Sequence, residues 1–217
     1  MTSHEPRSRI WAVLPAKGFG KGKSRLSGVL SPATREELAR QMFKRVIGVV
    51  SACPRIEGVL VATDADEVAE LALGAGAKVI RDSHEARANL GQVVDASLSQ
   101  LRLGDVTTAA VLMCDLPLLG GGDVEALLEL AESHELVVAP DSRREGTNAL
   151  AIRLDTGLGS RFGRPDSFAA HLAMGREAGL TTAVLDNAAF GFDVDTSRDL
   201  ADLQAPNAAS FLARLQR

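Results

Sequence analysis

Apolar runs too short for helices recur along this chain, each followed by a stretch of helical periodicity. That alternation constrains the fold more than any other feature. The runs are IWAVL (10–14), VLVAT (59–63), AKVI (77–80), AAVLM (109–113), ELVVAP (135–140) and ALAIRL (149–154), with TTAVLD and FGFDVD as further extended segments. Runs such as VLVA and AAVLM are continuously apolar, as in strands covered on both faces. Between them, PATREELARQMFKRVIGVVSAC places Leu38, Met42, Val46 and Val49 on one helical face. Ser31 can cap that helix and Pro32 fits its first turn. Further helical patterns are DADEVAELALGAG, QVVDASLSQLRL, GDVEALLELAES, PDSFAAHLAMGREAG and SRDLADLQ. The order predicts a single α/β domain over residues 1–217, with a mainly parallel central sheet flanked by helices. Residues 1–9 and 206–217 are expected to form loosely packed ends.

Composition removes several function classes. The net charge of −4 over 217 residues argues against nucleic acid as a partner, since such proteins carry a basic excess. No segment has the apolar length of a membrane span, and MTSHEPRSR lacks a signal-peptide core, so a cytoplasmic location is expected. Cys53 and Cys114 have neither metal-ligand nor disulfide-scaffold spacing and read as reduced core thiols. The four histidines show no HxH or HExxH pattern. A homodimer is compatible with the sequence, which holds no cue that fixes the oligomeric state.

In open α/β sheets, ligands sit at the carboxyl ends of the strands. The first such end reads LPAKGFGKGKSRL: Leu14, Pro15 and Ala16 lead into three glycines and four cations, Lys17, Lys21, Lys23 and Arg25. Backbone N–H groups and ammoniums of this kind suit a polyphosphate. Neither common phosphate motif is present. Gly22-Lys23-Ser24 would end a P-loop, but the position five before Gly22 is Lys17, and GxGxxG fails because Gly18, Gly20 and Gly22 alternate.

Acidic groups lie at two other strand ends. Asp115 follows AAVLM in CDLPLL, where a carboxylate beside a buried strand needs a partner or a metal. Asp193 and Asp195 are two apart in FGFDVD; if that run is extended, both point to one face and repel. A divalent cation would relieve the repulsion, and hard oxygen ligands suit Mg²⁺ better than zinc. The competing reading makes Asp195 part of a cap on the last helix. Gly146-Thr147-Asn148 offers groups that hold a phosphate or carboxylate. Gly163 and Ser167 sit where a loop enters a helix, whose N-terminus favours anions. His171, inside that helix, reads as structural.

Five motifs in order, K-x5-K-S-R-L, D-L-P-L-L, G-T-N-A-L, R-F-G…S-F-x-x-H and D-V-D-T-x-x-D-L, resemble the 2-phospho-L-lactate guanylyltransferase family of deazaflavin coenzyme F-420 biosynthesis. The resemblance runs from about Ile10 to Leu203. It implies a nucleotidyltransferase domain, Rossmann-like and of the glycosyltransferase-A type. It implies GMP transfer from GTP to 2-phospholactate, phosphoenolpyruvate or 3-phosphoglycerate, with pyrophosphate released. On that resemblance Asp115, Asp193 and Asp195 would hold Mg²⁺, while Lys17, Lys23 and Arg25 would face the triphosphate. Leu14, Pro15 and Ala16 would border the GTP. Thr147, Asn148, Gly163 and Ser167 would hold the acceptor. The stretch matching the family's G-L-N segment reads ANLGQ, making Asn89 and Gln92 the candidates for guanine contacts. The F-G-P-x-S spacing is lengthened by Arg164. Rival readings are a nucleotidyltransferase for a sugar-1-phosphate or molybdopterin acceptor, and a nucleotide-binding module without catalysis.

Overall fold

The computed structural model describes residues 9–81 and 89–203. Seven strands form its sheet: β1 (Ile10–Pro15), β2 (Ile56–Thr63), β3 (Lys78–Arg81), β4 (Thr108–Leu112), β5 (Leu136–Pro140), β6 (Thr147–Arg153) and β7 (Thr182–Val184). Their order is β3-β2-β1-β4-β6-β5-β7. The β1–β2, β2–β3, β1–β4 and β5–β7 pairs are parallel, and β6 runs antiparallel to both β4 and β5. The mainly parallel sheet is therefore present, with one reversed strand that the apolar run ALAIRL did not reveal. A reversed strand needs only the short connection Asp141–Gly146 from β5, not a crossover helix.

The helices are α1 (Pro32–Ser51), α2 (Asp66–Gly74), α3 (Leu90–Arg102), α4 (Gly121–Ser133), α5 (Ser167–Glu177), α6 (Ala188–Gly191) and α7 (Ser197–Leu203). The start of α1 is as expected: the Ser31 hydroxyl accepts from the Thr34 N–H, with Pro32 in the first turn. Its buried face holds Leu38, Met42 and Val46, joined by Phe43, Ile47 and Val50, whereas Val49 is half-buried. Both sheet faces are covered. One core gathers Leu14, Val61, Leu112, Val137, Phe43, Val68 and Leu127, and the other gathers Val13, Val111, Leu150, Leu98, Phe168 and Met174. This two-sided burial is why the strands are continuously apolar.

A third, smaller cluster lies at the carboxyl end of the sheet: Leu26, Leu38, Met42, Val194 and Leu203. It seats α7 against α1 and against the loop after β1. FGFDVD is not a strand: Phe190 and Gly191 end α6, and residues 192–195 are irregular. Arg9, expected in a loose end, is tied to the segment before β4, its N–H donating to the Thr107 hydroxyl at 2.9 Å. The remaining expectation of loosely packed ends falls outside the described residues. No helix among the described residues is long and apolar enough to cross a membrane. Cys53 is buried, Cys114 half-buried, and both are free thiols. Burial pushes the Cys114 thiol well above its ordinary range.

Candidate active site

The loop after β1 is pinned by two side chains. Phe19 and Leu26, both buried, sit in two short 3-10 turns, Phe19–Lys21 and Ser24–Leu26. The Phe19 ring packs on Phe43 at 5.7 Å, with the Arg40 guanidinium over its face at 4.8 Å. A Cβ at Gly18 would lie 3.0 Å from Glu67 Oε1 and 3.3 Å from the Ala65 Cβ, so the loop passes close to the start of α2 there. The approach to this loop is not a row of open N–H groups. Leu14 is buried in the β1 ladder, Pro15 has no N–H, and the Ala16 N–H donates to the Ala62 carbonyl at 2.9 Å. None of these three residues keeps a free N–H for a phosphate, and beyond them the loop carries four cationic side chains.

Those side chains divide into two sets. Lys17 is exposed and makes no ion pair among the described residues, and Arg25 is 73% exposed, reaching only to 3.9 Å from Asp195. Lys21 pairs with Asp64 at 2.7 Å. Lys23 turns inward. Its side chain is 8% exposed, and its ammonium lies 2.7 Å from Asp115 Oδ2 and 2.8 Å from Asp195 Oδ1. Lys23 also holds the left-handed backbone conformation, φ 58°, which costs a side-chain-bearing residue about 1–2 kcal/mol. Burial works to lower its pKa, but attraction to Asp115 and Asp195 outweighs burial and raises it.

Asp115, Asp193 and Asp195 each offer a carboxylate oxygen within 4.8 Å of the others. Val194, buried between the two aspartates in the third cluster, holds the backbone so that both flanking side chains serve the same site. Asp195 is not the cap of α7. That task belongs to Thr196 and Asp199: Asp199 Oδ2 accepts from the Asp195 N–H at 3.0 Å, the Thr196 N–H at 2.7 Å and the Thr196 hydroxyl at 2.9 Å. Asp195 is thereby left for the cluster. Burial first, then the charges of Asp115 and Asp195, push the Asp193 carboxyl up to about 6, against the pull of Lys23.

A second group of candidates forms around His171. Thr147 and Asn148, consecutive on β6, point to opposite faces of the sheet. Thr147 Oγ1 lies 3.0 Å from His171 Nδ1, and the Phe168 N–H at the start of α5 donates to the Glu145 carbonyl at 3.0 Å. Gly163 sits at φ +80°, a conformation suited to glycine, and a Cβ there would lie 3.2 Å from the Gly91 nitrogen. Ser167 is buried at the start of α5, and its hydroxyl makes no hydrogen bond among the described residues.

Two expected roles read differently in the structure. Asn148 donates to the Phe190 carbonyl at 2.8 Å and leans on Asp193 at 3.5 Å, so its amide steadies the acidic cluster and is already committed away from an acceptor. Asn89 and Gln92 form the capping box of α3: Asn89 Oδ1 accepts from the Gln92 N–H at 3.1 Å, and Gln92 Oε1 accepts from the Asn89 N–H at 3.0 Å. Their acceptor oxygens are thus committed to the helix start, beside the Gly163 loop.

A family model described as Guanylyl transferase CofC like matches residues 10–208. The chain belongs to that family. Its curated relatives include the 2-phospho-L-lactate guanylyltransferase of Methanothermobacter thermautotrophicus, 32% identical over 211 residues, covering 94% of this chain and 90% of that one. The phosphoenolpyruvate guanylyltransferase of Rubrobacter xylanophilus is 34% identical, covering 94% and 98%. The 3-phospho-D-glycerate guanylyltransferase of Phenylobacterium zucineum is 31% identical, covering 88% of each. Among solved structures, a nucleotidyl transferase from Methanothermobacter superimposes with a TM-score of 0.65 at 19% identity, over 95% of this chain and 99% of that one. At that identity the likeness shows the nucleotidyltransferase fold alone.

In this CofC-like chain the acidic cluster fits a hard divalent cation. It is all carboxylate, it is crowded enough to raise the Asp193 pKa, and an ammonium already sits against two of its members. The pairing of Lys23 with these acids was not foreseen from the sequence, because Lys23 lies 92 and 172 positions from Asp115 and Asp195. Asp199 was also missed, although D-T-x-x-D is the spacing of a cap and could have pointed to it.

Proposed function

We propose that this chain transfers GMP from GTP to a small phosphorylated carboxylic acid and releases pyrophosphate. The observation that carries the reading is the meeting of Asp115, Asp193, Asp195 and Lys23 at the carboxyl end of the sheet, in a chain of the CofC-like guanylyl transferase family. The acceptor class follows from the relatives, named for 2-phospholactate, phosphoenolpyruvate and 3-phosphoglycerate, each of which carries a phosphate and a carboxylate. The same family membership supports a place in coenzyme F-420 biosynthesis.

The chemistry asks for little acid–base work. An acceptor phosphate oxygen, already anionic, attacks the α-phosphorus of GTP. A new P–O bond forms as the bond from the α-phosphorus to the α,β-bridging oxygen breaks, and pyrophosphate carries away that electron pair. The difficulty is bringing two anions together in line, so catalysis consists of charge compensation and alignment. Mg²⁺ held by Asp115, Asp193 and Asp195 would supply Lewis-acid stabilisation of the reacting phosphates. Lys17 and Arg25, the exposed cations of the β1 loop, face the leaving pyrophosphate. Lys23 pairs with Asp115 and Asp195 in the metal-free site and gives way when the cation binds. Thr147, Gly163 and Ser167 orient the acceptor.

The test is pyrophosphate release from GTP and Mg²⁺ with each of the three acids in turn, with ATP and CTP as controls. Release with GTP and one acid is the expected result. Silence with all three acids, from a folded protein, refutes the reading.

A further inference from the structure

We propose that His171 is the positioning residue of the acceptor site: its imidazole bridges Thr147 on β6 to the Arg161–Gly163 loop and sets the direction of the Thr147 hydroxyl hydrogen. The inference rests on the reading above that Thr147 and Gly163 receive the acceptor.

The argument is one of hydrogen-bond accounting. His171 is fully buried on α5, with the Phe162 ring edge-on at 4.9 Å. The Arg161 N–H donates to Nε2 at 2.9 Å, so Nε2 must present its lone pair. A neutral imidazole then carries its hydrogen on Nδ1. Burial, chiefly, and the nearby Arg161 charge keep the ring neutral, lowering its pKa to about 4 against the opposing effect of the Ser167 backbone carbonyl, which shares the one Nδ1 hydrogen with Thr147. Nδ1 lies 3.0 Å from Thr147 Oγ1, and because Nδ1 is the protonated nitrogen, the threonine oxygen is the acceptor. The hydroxyl's own hydrogen is directed away from the ring, and it meets no acceptor among the described residues.

A hydroxyl fixed in this way is a pre-oriented donor, the group an incoming phosphate or carboxylate oxygen requires. The same ring fixes the Arg161 backbone, two residues before Gly163. One buried side chain therefore sets the spacing between the two elements expected to hold the acceptor. Neither task involves contact with substrate.

Two measurements test this. In the free wild-type protein, two-bond ¹H–¹⁵N correlation of the imidazoles reports the His171 tautomer without reference to activity. Protonated Nδ1 is expected, and protonated Nε2 overturns the proposal. In steady-state assays with the acid that supports release, His171→Phe is expected to raise the acceptor KM about 10- to 100-fold while the GTP KM stays within about twofold. His171→Asn, which can still donate to Thr147, is expected to recover part of that loss. Thr147→Val combined with His171→Phe is expected to cost less than the product of the two single effects. An unchanged acceptor KM, or equal losses toward both substrates, refutes the positioning role. Absence of acceptor-dependent release in the wild type would instead refute the acceptor reading itself. Should His171→Phe fail to fold, the tautomer measurement and Thr147→Val decide alone.

Discussion

Lys23→Met removes the ammonium that separates Asp115 from Asp195 while keeping a side chain of similar length. Taking one partner from a fully buried ion pair costs about 3–5 kcal/mol, because the other charge is left uncompensated. Here the lysine is 8% exposed, but Asp115 and Asp195 keep 31% and 44% of their side-chain surface in water, which scales the loss to about 2 kcal/mol. That loss applies in chelated, metal-free buffer, where three carboxylates crowd within 4.8 Å of one another. A divalent cation can occupy the space the ammonium leaves, and it binds the variant without first displacing Lys23. Ligand at about 100 times its Kd stabilises by about 2.7 kcal/mol, enough to erase the deficit. Urea unfolding followed by fluorescence of Trp11, the single tryptophan, with chelator and then with Mg²⁺ or Mn²⁺, reads both quantities. The variant is expected to be less stable than wild type without metal and to gain more from metal. An equal deficit under both conditions would show that Lys23 does not compete with a cation, and the reasoning would be wrong.

Asp193→Asn is expected to lower kcat by at least about 100-fold while leaving far-UV circular dichroism unchanged. For pH, the His171 pKa is depressed to about 4, so the unfolded chain binds the proton first as pH falls from about 6.5. The contribution of a neutral His171 is therefore complete above about 6.5 and declines by up to about 3 kcal/mol as pH falls toward 4, while Asp193, its pKa raised to about 6, gains stability from protonation over the same range. The His171 part is read as the difference between wild type and His171→Phe in urea titrations, and that difference is expected to shrink as pH falls from about 6.5 toward 4. Gly163→Ala forces a Cβ to φ +80° against the Gly91 nitrogen, and is expected to cost about 1–2 kcal/mol in unfolding and to raise the acceptor KM. Asp199→Ala deletes three hydrogen bonds around Asp195 and Thr196, and is expected to weaken Mn²⁺ binding roughly 10-fold by calorimetry.

The sequence made the sheet legible because burial on both faces writes itself as unbroken apolar runs, and it made α1 legible because Ser31-Pro32 is local chemistry. Strand direction was another matter. ALAIRL looks the same whether it runs with β4 or against it, and only the short link Asp141–Gly146 hints at reversal. The three aspartates could be picked out because each sits beside an apolar anchor after a strand or short helix. What could not be read was who pairs with whom. Lys23 could have faced a phosphate, as its neighbours Lys17 and Arg25 are free to do, but its left-handed backbone turns it toward the acids. Asn89 and Gln92 show the reverse problem: side chains with ligand-like chemistry serve first as a helix cap.

Val194 ties reactivity to a part of the molecule distinct from its two large cores. Among the described residues, the cluster that buries it contains five fully or nearly fully buried side chains, of which α7 supplies Leu203, with Leu200 packed partly buried against them. Regions held by so few apolar contacts open at free energies well below that of global unfolding. When α7 lifts, Asp193 and Asp195 lose their register with Asp115 although the sheet stays intact. Mild denaturant is then expected to silence turnover before Trp11 reports any melting, so that catalytic lifetime is governed by the opening of one seven-residue helix.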